Sequence, residues 1–255
     1  MTMTDNPKLK ISIITVAYNA ANTIEHCIRS VMDQDYPDIE HIIIDGGSTD
    51  GTLDIINKYR QHIAVLISEP DKGIYDAMNK GIVSATGDII GTLNADDQLA
   101  STDVIGSVAA LIATKNADIV YGNLNFVNRG QKVVRTWNAG KYFPGAYNWG
   151  WMSPHPTFYC RRVLFEKWGL YSLDYGSAAD YELMMRFMHQ HTPRVEYLNQ
   201  IMVKMLPGGV SNQNIKSYVK AWRNDFRAMQ KCGIRNPLLT IILKPLRKIG
   251  QVLKL

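Results

Sequence analysis

Ile11-Ser12-Ile13-Ile14-Thr15-Val16-Ala17-Tyr18-Asn19 is an apolar, β-branched run that breaks abruptly into polar residues. Its apolar part, residues 10–16, reads as a strand. Asn22 with Glu25 three positions later has the pattern of a capping box, so a helix is expected to follow at once. Ile24, Cys27, Ile28 and Val31 then recur on one helical face, and the pattern ends before Pro37.

Working outward, the same unit repeats. Strands are expected over residues 41–44, 64–67 and 88–93, a polar turn over 45–50, and helices over 53–59 and 74–85. Alternation of this kind predicts an α/β fold whose mostly parallel central sheet is flanked by helices. A helix over 104–113 and a strand over 119–121 close the first half near Gly122.

Beyond that point the alternation stops. Residues 124–127 and 132–137 flank Asn128-Arg129-Gly130 and read as a β-hairpin. Residues 138–153 are rich in Gly, Tyr and Trp without any period, which marks a long loop of the functional kind, a candidate lid. A short strand over 157–160 and helices over 163–168, 181–189 and 215–232 complete the pattern.

Composition narrows the classes. A chain of 255 residues with 46% hydrophobic content can bury one substantial core. Its net charge of +5 is concentrated at the end: no acid follows Asp225, whereas Arg227, Lys231, Arg235, Lys244, Arg247, Lys248 and Lys254 are basic. That distribution argues against a basic catalytic face, and no nucleic acid partner is expected. Cys27, Cys160 and Cys232 are few and widely spaced, giving neither a disulfide framework nor paired zinc ligands. Residues 1–10 lack the apolar core of a signal peptide, and no apolar run approaches the ~20 residues that span a bilayer. A cytoplasmic location is therefore expected.

In an open parallel sheet, ligands bind at the carboxyl ends of the strands. The residues falling there are Tyr18 and Asn19, then Asp45-Gly46-Gly47-Ser48, then Glu69-Pro70-Asp71-Lys72-Gly73, then Asn94-Ala95-Asp96-Asp97. An aromatic ring at Tyr18 suits stacking on a nucleobase, and a carboxylate at Asp45 suits accepting from a ring imide such as that of uracil. Adjacent carboxylates at Asp96 and Asp97 repel unless a cation lies between them, and Mg²⁺ or Mn²⁺ bridging a diphosphate would answer this. Taken singly, each has a plainer reading: Tyr18 as a core-edge ring, Asp45 as a turn cap, Asp96-Asp97 as the turn before a helix from Thr102.

The runs at 12–19, 44–52 (Ile-Asp-Gly-Gly-Ser-Thr-Asp-Gly-Thr) and 93–97 (Leu-Asn-Ala-Asp-Asp) resemble successive motifs of the inverting family-2 glycosyltransferases of the GT-A fold, with the match running from Ile11 to about Leu206. The segment 68–81, Ser-Glu-Pro-Asp-Lys-Gly-Ile-Tyr-Asp-Ala-Met-Asn-Lys-Gly, is similar to a branch that builds bacterial surface polysaccharides. The resemblance implies Tyr18 and Asp45 on the base, Asp96 on the ribose or metal, Asp97 on the metal, and Asp71 and Lys72 as donor contacts. It implies Asp180, in Ser177-Ala178-Ala179-Asp180-Tyr181, as general base, because an alcohol needs a carboxylate within reach to take its proton. Read without the resemblance, Asp180 suits the N-cap of a helix from Tyr181, and Glu182, the nearest competitor, is expected to face solvent. His155 lies where relatives place an acceptor-side polar residue, and Trp151, with Tyr147 and Trp149, offers flat faces for a sugar, although packing or a structural loop explains these equally well. Asn94 departs from the Asp that many relatives carry, which removes one expected ligand.

The expected partners are a nucleoside-diphosphate sugar, with UDP first and GDP or dTDP as alternatives, and a glycan or lipid-linked saccharide acceptor. Residues 1–122 would form the nucleotide-sugar half and 123–210 the acceptor half of the same domain, followed by a helix and basic amphipathic tail over 211–255. From 237 onward apolar residues alternate with Lys244, Arg247, Lys248 and Lys254, a pattern suited to an anionic membrane surface and a peripheral position on the inner face. A helix interrupted at Pro245 and packed on the protein is the alternative.

Other classes fit less well. A non-catalytic nucleotide- or sugar-binding subunit would not require Asp96, Asp97 and Asp180 together. Asp50-Gly51-Thr52-Leu53 resembles the nucleophile loop of a haloacid-dehalogenase phosphatase, but that loop needs Asp where Ser48 stands. Neither the Gly-x-Gly-x-x-Gly of a dinucleotide oxidoreductase nor the Gly-rich loop of a nucleotidyltransferase follows the first strand.

Overall fold

A computed structural model describes residues 9–206 and 215–252. In chain order the elements are β1 (Ile11–Ala17), α1 (Ile24–Met32), β2 (Ile39–Asp45), α2 (Thr52–Lys58), β3 (Val65–Ser68), α3 (Ile74–Ser84), β4 (Ile89–Asn94), β5 (Asp97–Leu99), α4 (Val104–Lys115), β6 (Ile119–Val127) and β7 (Val133–Trp137). They continue as β8 (Tyr159–Arg161), α5 (Arg162–Trp168), α6 (Ala179–Met185), β9 (Val195–Met205), α7 (Ile215–Lys231) and α8 (Pro237–Val252).

The strands form one sheet ordered β3-β2-β1-β4-β8-β6-β9-β5, with β7 paired to β6. The four strands β3, β2, β1 and β4 are mutually parallel, as the alternation predicts. The contiguous parallel run ends at β4, where β8 enters antiparallel between β4 and β6, and β6 is again parallel to β9. Every residue of β1 is buried, which suits a central strand covered on both faces. Ile11 and Ile13 pack with Cys27, Val31, Val104 and Val108 under α1 and α4. Ile14 and Val16 pack on the other face with Met78 and Ile82 of α3.

Several expectations change. The Asn22/Glu25 box does not form: the amides of Thr23 and Ile24 donate to the Ala20 carbonyl, and Thr23 makes no side-chain cap. β5 follows directly on the turn at residues 95–96, because β9 supplies an antiparallel partner about a hundred residues away, Asp97 opposite Met205. Residues 138–153 are not a free lid, since Tyr147 and Trp151 are buried and Asn148 is bound from α8 by Thr240 Oγ1 at 2.9 Å.

Candidate active site

Strand register assembles the site. Ala17 lies opposite Asp45, Asp45 opposite Ser68, and Val16 opposite Asn94, so the polar segments after β1, β2, β3 and β4 leave one sheet edge side by side. Tyr18 is 68% exposed there, its ring free.

Asp45 is buried and fully engaged. Its Oδ2 accepts from the amides of Gly47 (3.1 Å) and Ser48 (3.0 Å) and from Ser68 Oγ (2.7 Å), and its Oδ1 accepts from Ser48 Oγ. The carboxylate thus fixes the 46–48 loop, and a contact to a ring imide would require one of those hydroxyls to let go. Asp71 is placed differently. Its Oδ1 accepts from Gly73 N at 2.7 Å, while its Oδ2 lies so close over Gly46 that a Cβ there would meet it at 2.5 Å and Tyr18 Cδ2 at 3.4 Å. The missing side chain of Gly46 brings Tyr18 and Asp71 together. Lys72 follows in the same loop with its side chain exposed, and its amide donates to Asp76 Oδ2 at 3.0 Å.

The adjacent carboxylates separate. Asp96 is exposed in the turn, whereas Asp97, the first residue of β5, has no exposed surface. Burial first, and then the Asp96 charge, pushes the Asp97 carboxyl well above the usual carboxylate range. Asn94 Nδ2 donates to Asp97 Oδ2 at 3.0 Å, leaving Asn94 Oδ1 and Asp97 Oδ1 as buried acceptors without a donor. The exposed Asp96 carboxylate and the two unsatisfied oxygens of its neighbours Asn94 and Asp97 are donors of the type that suits a hard divalent cation. Among the described residues no three His, Cys, Asp or Glu side chains cluster, so a diphosphate would have to complete the coordination shell.

Across from this edge lies a second group. Asp180 is the second residue of α6, not its N-cap, and its Oδ1 accepts from Tyr181 N at 2.7 Å. His155 is buried, with Nε2 2.7 Å from Tyr171 Oη; burial lowers the imidazole pKa and the nearby Asp180 charge opposes this. The Tyr75 phenol, from α3, lies near Asp180, and burial followed by that charge pushes its pKa well up. The rings of Tyr75 and Tyr171 pack together, centroids 5.5 Å apart and tilted by 31°. Neither tyrosine stands out in the sequence as a site residue; the spacing of Tyr75 and Asn79, one helical turn apart, was the available signal.

Two expectations are corrected. Glu182 does not face solvent: it is 3% exposed and pairs with Arg186 Nε at 2.8 Å, because α6 is covered on its far side and carries its own counter-ion at i+4. Trp151 does not present a face to a sugar: it is 4% exposed, donates Nε1 to Ala139 O at 2.8 Å, and packs edge-on against Tyr121 and Tyr147. Tyr147 is likewise buried, and only Trp149 of that trio stays open.

Residues 12–172 match the family model described as "Glycosyl transferase family 2". The chain belongs to glycosyl transferase family 2. This enzyme is 30% identical over 226 residues to the PGL/p-HBAD biosynthesis glycosyltransferase of Mycobacterium bovis, covering 82% of both chains. Its fold is GT-A-like. It superposes on residues 1–349 of S. aureus TarS in complex with UDP-GlcNAc with TM-score 0.70 and 18% identity, covering 95% of this chain and 73% of that one. In a longer TarS structure it spans 39% of that chain. The mannosyltransferase PcManGT of Pyrobaculum calidifontis, solved with GDP-Man and Mn²⁺, gives TM-score 0.65 at 20% identity, covering 96% of this chain and 71% of that one. The chain is therefore a glycosyltransferase of this family, and the strand-end edge is where its donor chemistry is to be sought.

Proposed function

We propose that this enzyme transfers a sugar, with inversion, from a nucleoside-diphosphate donor to an acceptor hydroxyl in the synthesis of a surface glycan. The observation that carries this reading is the meeting of Tyr18 and Asp71 over Gly46 on the sheet edge that the segment carrying Asp96 also leaves, with Asp180 near Tyr75, four residues after Asp71.

Tyr18 stacks on the base, the free Oδ2 of Asp71 accepts from a base or ribose donor, and Asp45 holds the loop on which the base rests. Asp96 faces the diphosphate, with Asp97 Oδ1 as the second oxygen of the metal set and Lys72 as a positive group at the loop. Mg²⁺ or Mn²⁺, when bound, supplies neutralisation of the departing diphosphate. Asp180 takes the acceptor proton as the hydroxyl oxygen bonds to the anomeric carbon, and the bond from that carbon to the diphosphate oxygen breaks with its electron pair leaving on the nucleotide. His155 holds Tyr171 on the acceptor side. UDP is the carrier favoured here, in keeping with the UDP-GlcNAc in complex with TarS 1–349.

The acceptor in this reading is a glycan or lipid-linked saccharide at an anionic membrane surface. α8 is anchored inward by Thr240 and by Lys244, whose Nζ lies 2.7 Å from Asp225. Outward it presents Leu238, Ile242 and Leu246, spaced i, i+4, i+8, with Leu239 beside them and exposed Arg235 and Arg247 at either end. An apolar stripe framed by cations suits the headgroup boundary of an anionic bilayer. No helix among the described residues is long and apolar enough to cross a membrane.

The test is thermal stabilisation by UDP, GDP and dTDP, each with and without Mn²⁺, in wild type, Asp96→Ala and Asp97→Ala. A ligand that binds the native state raises its apparent stability. Metal-dependent stabilisation by one diphosphate, lost in Asp96→Ala, is expected; no stabilisation by any of them would overturn the donor assignment.

A further inference from the structure

We infer that α3 is the strut that positions the general base: Tyr75 and Asn79 hold Asp180, Tyr171 and His155 in place against the donor loop. The inference rests on Asp180 being that base and adds what keeps it there.

Tyr75 and Asn79 are four residues apart and so share one face of α3. Asn79 uses both ends of its amide on the backbone of one residue of the acceptor half: Nδ2 donates to Tyr171 O at 2.9 Å, and Oδ1 accepts from Tyr171 N at 2.9 Å. Tyr75 packs against the Tyr171 ring, centroids 5.5 Å apart and tilted by 31°, and from there its phenol is close enough to feel the Asp180 charge. Tyr171 carries the arrangement on to His155.

Other side chains of the same helix grip the donor loop. Asp76 accepts from the Lys72 amide, and Lys80 Nζ reaches Glu69 Oε1 at 2.7 Å and Pro70 O at 3.1 Å. At Gly81 a Cβ would stand 2.4 Å from Ile14 Cγ2, so α3 sits flush on β1 and cannot tilt freely. This gives the polar side chains of α3 two tasks: Asp76 and Lys80, with Glu69, fix the loop that carries Asp71, and Tyr75 and Asn79 fix the residues across from it. A general base must lie within hydrogen-bond reach of the hydroxyl it deprotonates, and a displacement of about 1 Å can cost roughly a hundredfold in rate.

The variants are Tyr75→Phe, which keeps the ring stack and removes only the hydroxyl, and Asn79→Leu, which keeps the volume and removes both hydrogen bonds. Turnover is read as nucleotide release from UDP-GlcNAc, GDP-mannose and dTDP-glucose, whose hydrolysis by water needs no acceptor, and UDP, GDP and dTDP affinity is read by calorimetry. Tyr75→Phe is expected to lower kcat about tenfold with donor KM and nucleotide affinity unchanged within about twofold, and to add nothing in an Asp180→Asn background, since groups acting as one unit are not additive. Hydrogen exchange over residues 170–182 is expected to quicken in Asn79→Leu, where the Tyr171 amide loses its acceptor.

Wild-type kcat in Tyr75→Phe, or unchanged exchange in Asn79→Leu, would overturn the strut. Full turnover in Asp180→Asn would instead overturn the base assignment beneath it. Should none of the three sugars be hydrolysed, the exchange result decides.

Discussion

Replacing Gly46 by Ala tests whether Asp71 touches the nucleotide. The new Cβ would stand 2.5 Å from Asp71 Oδ2 and 3.4 Å from the Tyr18 ring, and the first distance is not tolerable. The Asp71 carboxylate must swing away, yet it is tethered through Oδ1 to Gly73 N, so the oxygen displaced is the free one that Tyr18 adjoins. If that oxygen accepts a hydrogen bond from the donor, its loss removes one bond to a charged group, about 1.5–3 kcal/mol. That corresponds to roughly a 10- to 150-fold weaker nucleotide affinity, measured by calorimetry on the diphosphate that stabilises the protein most. Gly46 is buried but not in the left-handed region, and the atom displaced is the end of a half-buried side chain that can rotate, so the melting temperature should stay within a few degrees of wild type. Unchanged affinity in Gly46→Ala, together with unchanged affinity in Asp71→Asn, would refute the role given to Asp71.

Further outcomes are expected. Glu40, buried but held by Lys10, Ser12 and Thr86, has its carboxyl lowered from 4.5 to about 2, so its contribution is complete above 4.5 and fades as pH falls toward 2. Urea melts of wild type should lose roughly 2 kcal/mol across that window beyond what Glu40→Gln loses, and parallel curves for the two would count against it. Trp151→Ala should cost about 3–5 kcal/mol, seen as a fall in denaturant midpoint, while Trp151→Phe should leave acceptor KM where it was; a raised KM in a stable Trp151→Phe would restore a sugar contact. Changing Leu238, Ile242 and Leu246 together to Ser should abolish co-sedimentation with phosphatidylglycerol vesicles without altering nucleotide affinity, and retained binding would exclude the α8 stripe as the docking face.

Much of the first half is legible in the sequence because each cue is local. The apolar run at 11–17 and the spacing of Ile24, Cys27, Ile28 and Val31 name a strand and the buried face of its helix, and all these residues are buried in the fold. Repeated alternation implies a parallel sheet, and its carboxyl edge locates the candidate site. The motif runs at 12–19, 44–52 and 93–97 point to the family.

What the sequence cannot decide is which of several chemically equivalent groups stays open. Asp96 and Asp97 are the same residue type side by side, and only the pairing of β5 with β9 buries one and exposes the other. Trp149 and Trp151 read alike until Trp151 enters the cluster around Tyr121 and Tyr147. Glu182 is placed by Arg186 and the packing over α6, and Tyr75 meets Tyr171 where Asn79 clasps the backbone of that residue, 92 positions further on. Local sequence sets the period of each element, whereas side-chain exposure depends on contacts between segments remote along the chain; here those contacts choose the groups left free for chemistry.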